Sequence, residues 1–270
     1  MRWPGRVKAL AAPPASVASL LVLLVFGVVI ASPAGTAADS AAAWMTASVP
    51  LRGTSFSGTP AVGALFIMGA NSAATHFCTA SVVDSPKRDL VITAAHCLAN
   101  LSARADRVTF VPGFHDNKAP YGVWTTARVI VDDAWASSAD PDDDVAFLII
   151  TPAAGSRRIE DVTGAERLSI GPPTGVVRVT GYPNGKNRPI TCQNSITKFS
   201  ARQMRFACAG FTDGTSGGPF LANVSPTTGD GLVVGVVGGY EEGGYTPEIS
   251  YSPMFGRNVA ALYKTAVARG

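Results

Sequence analysis

Gly210-Phe211-Thr212-Asp213-Gly214-Thr215-Ser216-Gly217-Gly218-Pro219-Phe220 sets a serine between glycines on both sides and delivers it to an apolar run. Glycine lets backbone approach a ligand closely and take positive φ. A turn of this composition can aim several amide N–H groups at one point while holding a hydroxyl beside them. Acyl transfer needs that pairing, a nucleophile and a cradle for an oxyanion made by one loop. The same residue types also build ordinary hairpin turns, so the rest of the chain has to decide.

Working outward, the chain holds three histidines, His76, His96 and His115. His96 follows the β-branched apolar run 90–93, which reads as a buried strand. Its neighbours Ala94 and Ala95 leave room beside the ring. Downstream, Asp140, Asp142, Asp143 and Asp144 form an acidic cluster that stops abruptly against the apolar run 145–150. Asp144 is nearest that strand and is expected to be drawn inward. A buried carboxylate needs a donor, and a histidine N–H suits it. Asp140, Asp142 and Asp143 are expected to form a solvated turn.

The 270 residues are 47% hydrophobic and only 15% charged, with 28 Gly and 19 Pro, which excludes a disordered chain. Short apolar runs rich in Val, Ile, Thr and Phe, punctuated by Gly and Pro, favour an all-β sandwich or barrel. Strands are expected at 62–68, 76–83, 90–93, 107–111, 123–131 and 145–150. More follow at 176–180, 190–196, 205–209 and 232–237. Residues 256–268 read as a helix, with Val259, Leu262, Tyr263 and Ala266 on one face.

Residues 1–38 read as a secretory signal peptide. Arg2, Arg6 and Lys8 precede the uncharged apolar run 17–31, and the small residues 34–38 follow. The run is shorter than the roughly 20 residues that span a bilayer. Residues 39–60 read as a linker or short propeptide. Without the three leader cations the formal charge falls from +3 to zero, so the basic balance implies no nucleic-acid partner. No stable membrane association is expected after the leader is removed, and the protein is expected to be a secreted monomer. Four cysteines in an exported chain suggest two disulfides. Of three possible connectivities, Cys78–Cys97 and Cys192–Cys208 are favoured, because each pair flanks a short strand-turn-strand segment. No Cys-x-x-Cys or His-x-x-x-His spacing supports a metal site, and no metal or cofactor is expected.

Three short runs now combine: Thr93-Ala94-Ala95-His96-Cys97, Asp144-Val145-Ala146-Phe147-Leu148 and Gly214-Thr215-Ser216-Gly217-Gly218-Pro219. They occur in the order His, Asp, Ser, with Cys78 ahead of the first. Over about residues 60–268 the chain resembles the chymotrypsin (trypsin-like) serine proteases. Within them it is similar to bacterial secreted members, including the glutamyl endopeptidase-like group. The resemblance implies an all-β domain over 61–270 made of two six-stranded antiparallel β-barrels with the active site in the cleft. The first barrel would span about 61–155, the second about 170–255, and the C-terminal α-helix 256–268.

The implied function is a secreted serine endopeptidase acting on proteins or peptides through an acyl-enzyme. Ser216 would be the nucleophile, His96 the base and Asp144 its orienting carboxylate. The amides of Gly214 and Ser216 would form the oxyanion hole. The competing reading is a catalytically inactive protease-fold binding or regulatory protein, although all three residue types are present. Thr215 stands where vertebrate digestive relatives carry an aspartate that pairs with a freed N-terminus, so neutral hydrogen bonds are expected to set this loop. Gly210 stands where trypsins carry the aspartate at the pocket base. Val237 stands where glutamate-selective relatives carry a histidine. Gly210, Asp213, Gly238, Gly239 and Tyr240 are expected to contact substrate, with a small or apolar side chain before the scissile bond.

Overall fold

The computed structural model describes residues 50–68, 75–99, 101–152, 155 and 157–270. The expected signal peptide and residues 39–49 of the linker lie outside the described residues. The end of that linker is not free-standing. β1 (Thr54–Ser55) pairs with a strand of the second half, and Ala209 N–H donates to Leu51 O.

Six strands close the first barrel. They are β2 (Val62–Ile67), β3 (His76–Val83), β4 (Leu90–Thr93), β5 (Val108–Pro112), β6 (Trp124–Val131) and β7 (Ala146–Pro152). The order is β2-β3-β4-β7-β6-β5, all antiparallel. The strands are apolar because the barrel interior and the face against the second half are both buried. Leu65, Val82, Val91, Phe110, Trp124 and Leu148 fill the interior, while Ile92, Ile130 and Phe147 face outward into a shared core. Two short helices decorate this half: α1 (Asp133–Ser138), capped by the Asp132 carboxylate accepting from Ala134 N–H at 2.8 Å, and α2 (Glu160–Thr163).

The second half is built from β8 (Arg167–Leu168), β9 (Val176–Gly181), β10 (Ile190–Lys198), β11 (Gln203–Ala207), β12 (Pro219–Ala222), β13 (Leu232–Val236) and β14 (Ile249–Pro253). The six strands β14-β11-β10-β9-β12-β13 run antiparallel in that order, with β1 added on β10 and β8 added parallel to β13. The two ends of the six meet without a ladder: Val236 N–H donates to Ser252 Oγ at 3.0 Å and Gly238 N–H to Tyr251 O at 3.0 Å. Val177, Val179, Met204, Phe206, Phe220 and Val234 form the interior.

The helix expected at 256–268 is α3, Arg257–Arg269. Val259, Leu262 and Ala266 are buried against Ile92, Phe147, Leu221 and Val233, so one core joins the helix to both halves. Tyr263, the fourth residue of the stripe, stays half-buried, stacks edge-on against Phe147 and donates from its hydroxyl to Asp84 O at 2.8 Å. Two bridges close the expected pairings, Cys78–Cys97 and Cys192–Cys208.

Candidate active site

β4 ends at Thr93, and the chain turns through Ala94 and Ala95, both fully buried, into a short 3₁₀ turn at His96–Leu98. The bridge from Cys97 to Cys78 on β3 ties this turn to the barrel wall. Asp144 arrives from another 3₁₀ turn, Pro141–Asp143, just before β7. Pairing of Thr93 with Ala146 sets the two turns side by side. The Asp144 carboxylate is fully buried and accepts three hydrogen bonds. His96 Nδ1–H donates to Oδ2 at 2.7 Å, His96 backbone N–H to Oδ1 at 2.8 Å and Gly239 N–H to Oδ2 at 2.7 Å. The pairing of a buried carboxylate with an imidazole leaves Nδ1 as the donor, so Nε2 of the neutral ring carries the lone pair. Burial by itself would push His96 down. The Asp144 hydrogen bond and charge, with Glu242, outweigh it and hold the imidazole above its ordinary 6.5.

The surrounding carboxylates depart from the expected solvated turn. Asp143 is buried, with Arg202 Nη2 at 3.3 Å and Asn258 Nδ2 donating to it. Asp142 accepts from Gln203 Nε2 at 2.7 Å and pairs with Arg202 Nε at 3.4 Å. The cluster is therefore met by the Arg202 guanidinium and by the amide donors of Gln203 and Asn258 rather than by water alone.

Ser216 sits on the loop between β11 and β12, half-buried. That loop is fastened to the first barrel through Thr79. Thr79 N–H donates to Ser216 O at 2.7 Å, and Thr79 Oγ1 donates to Gly214 O at 2.9 Å while accepting from Tyr182 N–H at 2.8 Å. Thr93 Oγ1, three residues before His96, donates to Thr79 O at 2.8 Å. Glycine is required at two points here. A Cβ at Gly217 (φ +79°) would lie 2.0 Å from Thr93 Oγ1 and 2.2 Å from Thr79 O. A Cβ at Gly214 (φ +90°) would lie 2.3 Å from Asn184 Oδ1 and 2.6 Å from Tyr182 O. The serine loop thus packs directly on the strand end that carries His96. Segment 237–239 runs from one to the other, because Gly217 N–H donates to Val237 O at 2.7 Å and Gly239 N–H reaches Asp144.

Within the loop, Thr215 N–H and Oγ1 both donate to Thr212 O, at 3.0 and 2.8 Å, and Gly218 N–H donates to Thr215 O at 2.9 Å. These are neutral bonds, as the threonine at this place suggested. Among the described residues the amides of Gly214 and Ser216 donate to no protein acceptor, and neither does the Ser216 hydroxyl. Two unpaired N–H groups flanking Thr215, beside a free hydroxyl, are what binding a carbonyl oxygen requires.

A cavity of about 250 Å³ opens at Ser216. Of the five expected contact residues it is lined by Asp213 alone, together with Thr212, Val237, Glu241, Glu242 and Tyr245. Gly210 lies elsewhere. Its N–H donates to Pro247 O, and it lines a separate cavity with Arg52, Lys186 and Arg188. Gly239 and Gly238 serve Asp144 instead of the cavity, and Tyr240 packs its ring against Phe199 and Tyr251. The lining also departs from the expected small or apolar fit, since it carries three carboxylates and, among the described residues, no cation. One group of three metal-capable side chains occurs among the described residues, Cys78, His96 and Cys97. Two of its three donors are the sulfurs of a disulfide, which have no thiolate to offer.

Comparison with known proteins agrees with this fold. The solved protease Anisep from Arthrobacter nicotinovorans is 25% identical, with a TM-score of 0.66 over 80% of this chain and 99% of that one. A thermostable serine protease, AL20, from an extremophilic microorganism is 23% identical, with a TM-score of 0.65 over 78% of this chain and 99% of that one. A Glu endopeptidase in complex with MPD is 17% identical, with a TM-score of 0.62 over 81% of this chain and 97% of that one. No curated protein matches the chain. The sequence model of the Trypsin family matches residues 55–258. With its barrel, its His96–Asp144 pair and its serine loop all inside that span, the chain belongs to the trypsin family of serine endopeptidases.

Proposed function

We propose that the protein is a secreted serine endopeptidase that cleaves proteins or peptides through a Ser216-His96-Asp144 triad and an acyl-enzyme. The observation that carries this reading is the fully buried Asp144 carboxylate holding His96 by both its ring and its backbone N–H. Ser216 Oγ attacks the carbonyl carbon as His96 Nε2 takes the hydroxyl proton. The oxyanion is received by the free amides of Gly214 and Ser216. His96 then passes its proton to the leaving amine, and Asp144 stabilises the transient imidazolium. Water attacks the acyl-enzyme with His96 again as base and frees the carboxylic acid product. Export is supported by the leader-like composition of 1–38 and by the two disulfides, which persist in oxidising compartments.

The test is labelling of the oxidised protein, freed of residues 1–38, with a fluorophosphonate reagent. Wild type is expected to be labelled at Ser216 and Ser216→Ala to remain unlabelled. Absence of labelling in wild type would favour the non-catalytic binding reading. A second test addresses the neutral hydrogen bonds around Thr215. Extending the mature N-terminus by a few residues is expected to leave the rate nearly unchanged. A loss of more than about a hundredfold, the scale of one missing oxyanion donor, would show that a freed terminus sets the loop.

A further inference from the structure

Gln203 is buried on β11, in the second half, and carries no charge of its own. Its side-chain amide reaches two separate segments. Nε2 donates to Pro141 O at 2.9 Å and to Asp142 Oδ1 at 2.7 Å. Oε1 accepts from Tyr240 N–H at 3.2 Å. The orientation of the amide follows from its partners, because a carbonyl can only accept and a backbone N–H can only donate. Pro141–Asp143 is the turn that leads into Asp144 from the first barrel. Tyr240 follows Gly239, whose N–H donates to Asp144 Oδ2 from the second half. One side chain therefore grips both the turn that leads into Asp144 and Tyr240, the residue that follows the donor Gly239.

We propose that Gln203 is a positioning residue for the triad, fixing the Asp144 carboxylate under His96 by holding segments 141–142 and 239–240 at a set separation. The inference rests on the endopeptidase reading above. Gln203 does not line the cavity at Ser216 and acts through the segments that hold Asp144. Gly239 is matched to it, since a Cβ there would lie 2.4 Å from Gln203 Oε1. Arg202, the neighbouring residue, binds the same turn from its outer side through Asp142 and Asp143 but makes no bond to segment 239–240. Arg202 is also half-exposed, where ion pairs are weak. Arg202 and Gln203 thus separate two effects, support of the turn alone and coupling of the turn to the donor.

The experiment compares wild type with Gln203→Met, Gln203→Glu and Arg202→Met, each as the full processed, oxidised chain with active sites counted by titration. Methionine keeps the volume and removes all three bonds. Glutamate keeps the acceptor for Tyr240 N–H and sets a carboxylate against Asp142. For both Gln203 variants kcat is expected to fall by about 10- to 100-fold, the scale of ångström-level misplacement. KM should stay within about threefold, because no substrate contact is lost. The kinetic pKa of kcat/KM should move down toward 6.5, and the downfield proton resonance of His96 Nδ1–H should weaken or shift. Arg202→Met should keep kcat within about threefold of wild type. In the wild type itself, the exposed residue Tyr240 should have a slowly exchanging amide, which needs no variant to fold. A folded Gln203 variant with wild-type kcat and kinetic pKa, whatever its melting temperature, would overturn the proposal. So would an equal loss in Arg202→Met, or rapid exchange at the Tyr240 amide. Failure of Ser216 to label in wild type would instead remove the endopeptidase reading, while the His96 resonance would still report on the link from Gln203 to Asp144.

Discussion

Replacing Asp144 by asparagine isolates what the buried carboxylate does. Asp144 Oδ2 receives two donors, His96 Nδ1–H and Gly239 N–H, and Oδ1 receives one, His96 N–H. An asparagine can place its carbonyl in only one of those two positions. With the carbonyl at the Oδ2 position, its NH2 faces the His96 backbone N–H. With the carbonyl at the Oδ1 position, its NH2 faces Gly239 N–H and donates to His96 Nδ1, which moves the ring proton to Nε2 and removes the base. Either way one buried donor loses its acceptor, at about 1–3 kcal/mol, and one charge-assisted bond is lost, at about 1.5–3 kcal/mol. The first cost is the same in the free enzyme and the transition state and lowers folding stability; the second weakens the hold on the imidazolium and should lower kcat/KM by about 10- to 100-fold at 1.4 kcal/mol per tenfold. The pH profile should shift as well. Activity requires neutral His96, so the acid limb of the wild type lies above 6.5, where Asp144 holds the ring. In Asp144→Asn burial is opposed only by Glu242, and the limb should fall to 6.5 or below. The assay is steady-state hydrolysis of a peptide ester from pH 5 to 9, with circular dichroism to confirm folding. A variant within tenfold of wild type, with an unmoved acid limb, would refute the reasoning.

Three further outcomes are expected. Removing the Cys78–Cys97 bridge by a double alanine substitution opens a loop of 19 residues in sequence separation and should cost about 3 kcal/mol in denaturant unfolding; an unchanged midpoint would contradict this. Glu166 is fully buried, accepts from Gly231 N–H, and is raised by burial, with Asp230 adding to it, to about 8. Its folded form holds a proton that the unfolded form releases near 4.5, so stability should fall as pH rises from about 4.5 to 8 and level off above. Glu166→Gln should flatten that slope in melting curves, and parallel slopes would count against it. The rim carboxylates Asp213, Glu241 and Glu242, with no cation among the described lining residues, should favour lysine or arginine over glutamate before the scissile bond. The preference should narrow as ionic strength rises from about 0.01 to 1 M and the screening length shrinks from roughly 30 to 3 Å; a peptide-library profile with glutamate on top would exclude it.

The fold and the pairing of His96 with Asp144 were legible in the sequence because their signals are local. β4 is the β-branched, largely apolar run Leu90–Thr93, ending three residues before His96, and the Ser216 loop announces itself by composition. β14 left no such signal, because its buried positions are Ser250, Ser252 and Pro253, none a large apolar residue, and Ser252 is satisfied by bonds to Val236 N–H and Pro253 O. The cavity was misjudged for a related reason. Counting back from Ser216 places Gly210 near it in sequence, but the chain turns away at φ +106° and Gly210 faces a different surface. Glu241 and Glu242, which line the cavity, both sit at positive φ, +52° and +53°, an uncommon backbone state for glutamate. Asp143 was read as solvated because its partners, Arg202 and Asn258, lie far away along the chain.

The most direct measurement is to trap the acyl-enzyme. The oxidised, leader-free protein is mixed with an activated ester, quenched in acid and mapped by mass spectrometry. The account predicts one acyl group per chain, on the peptide at the hydroxyl of Ser216, formed faster than it turns over and absent from Ser216→Ala and from protein pretreated with fluorophosphonate. Hydrolysis with no acyl adduct at Ser216, or an adduct on another residue, would contradict it.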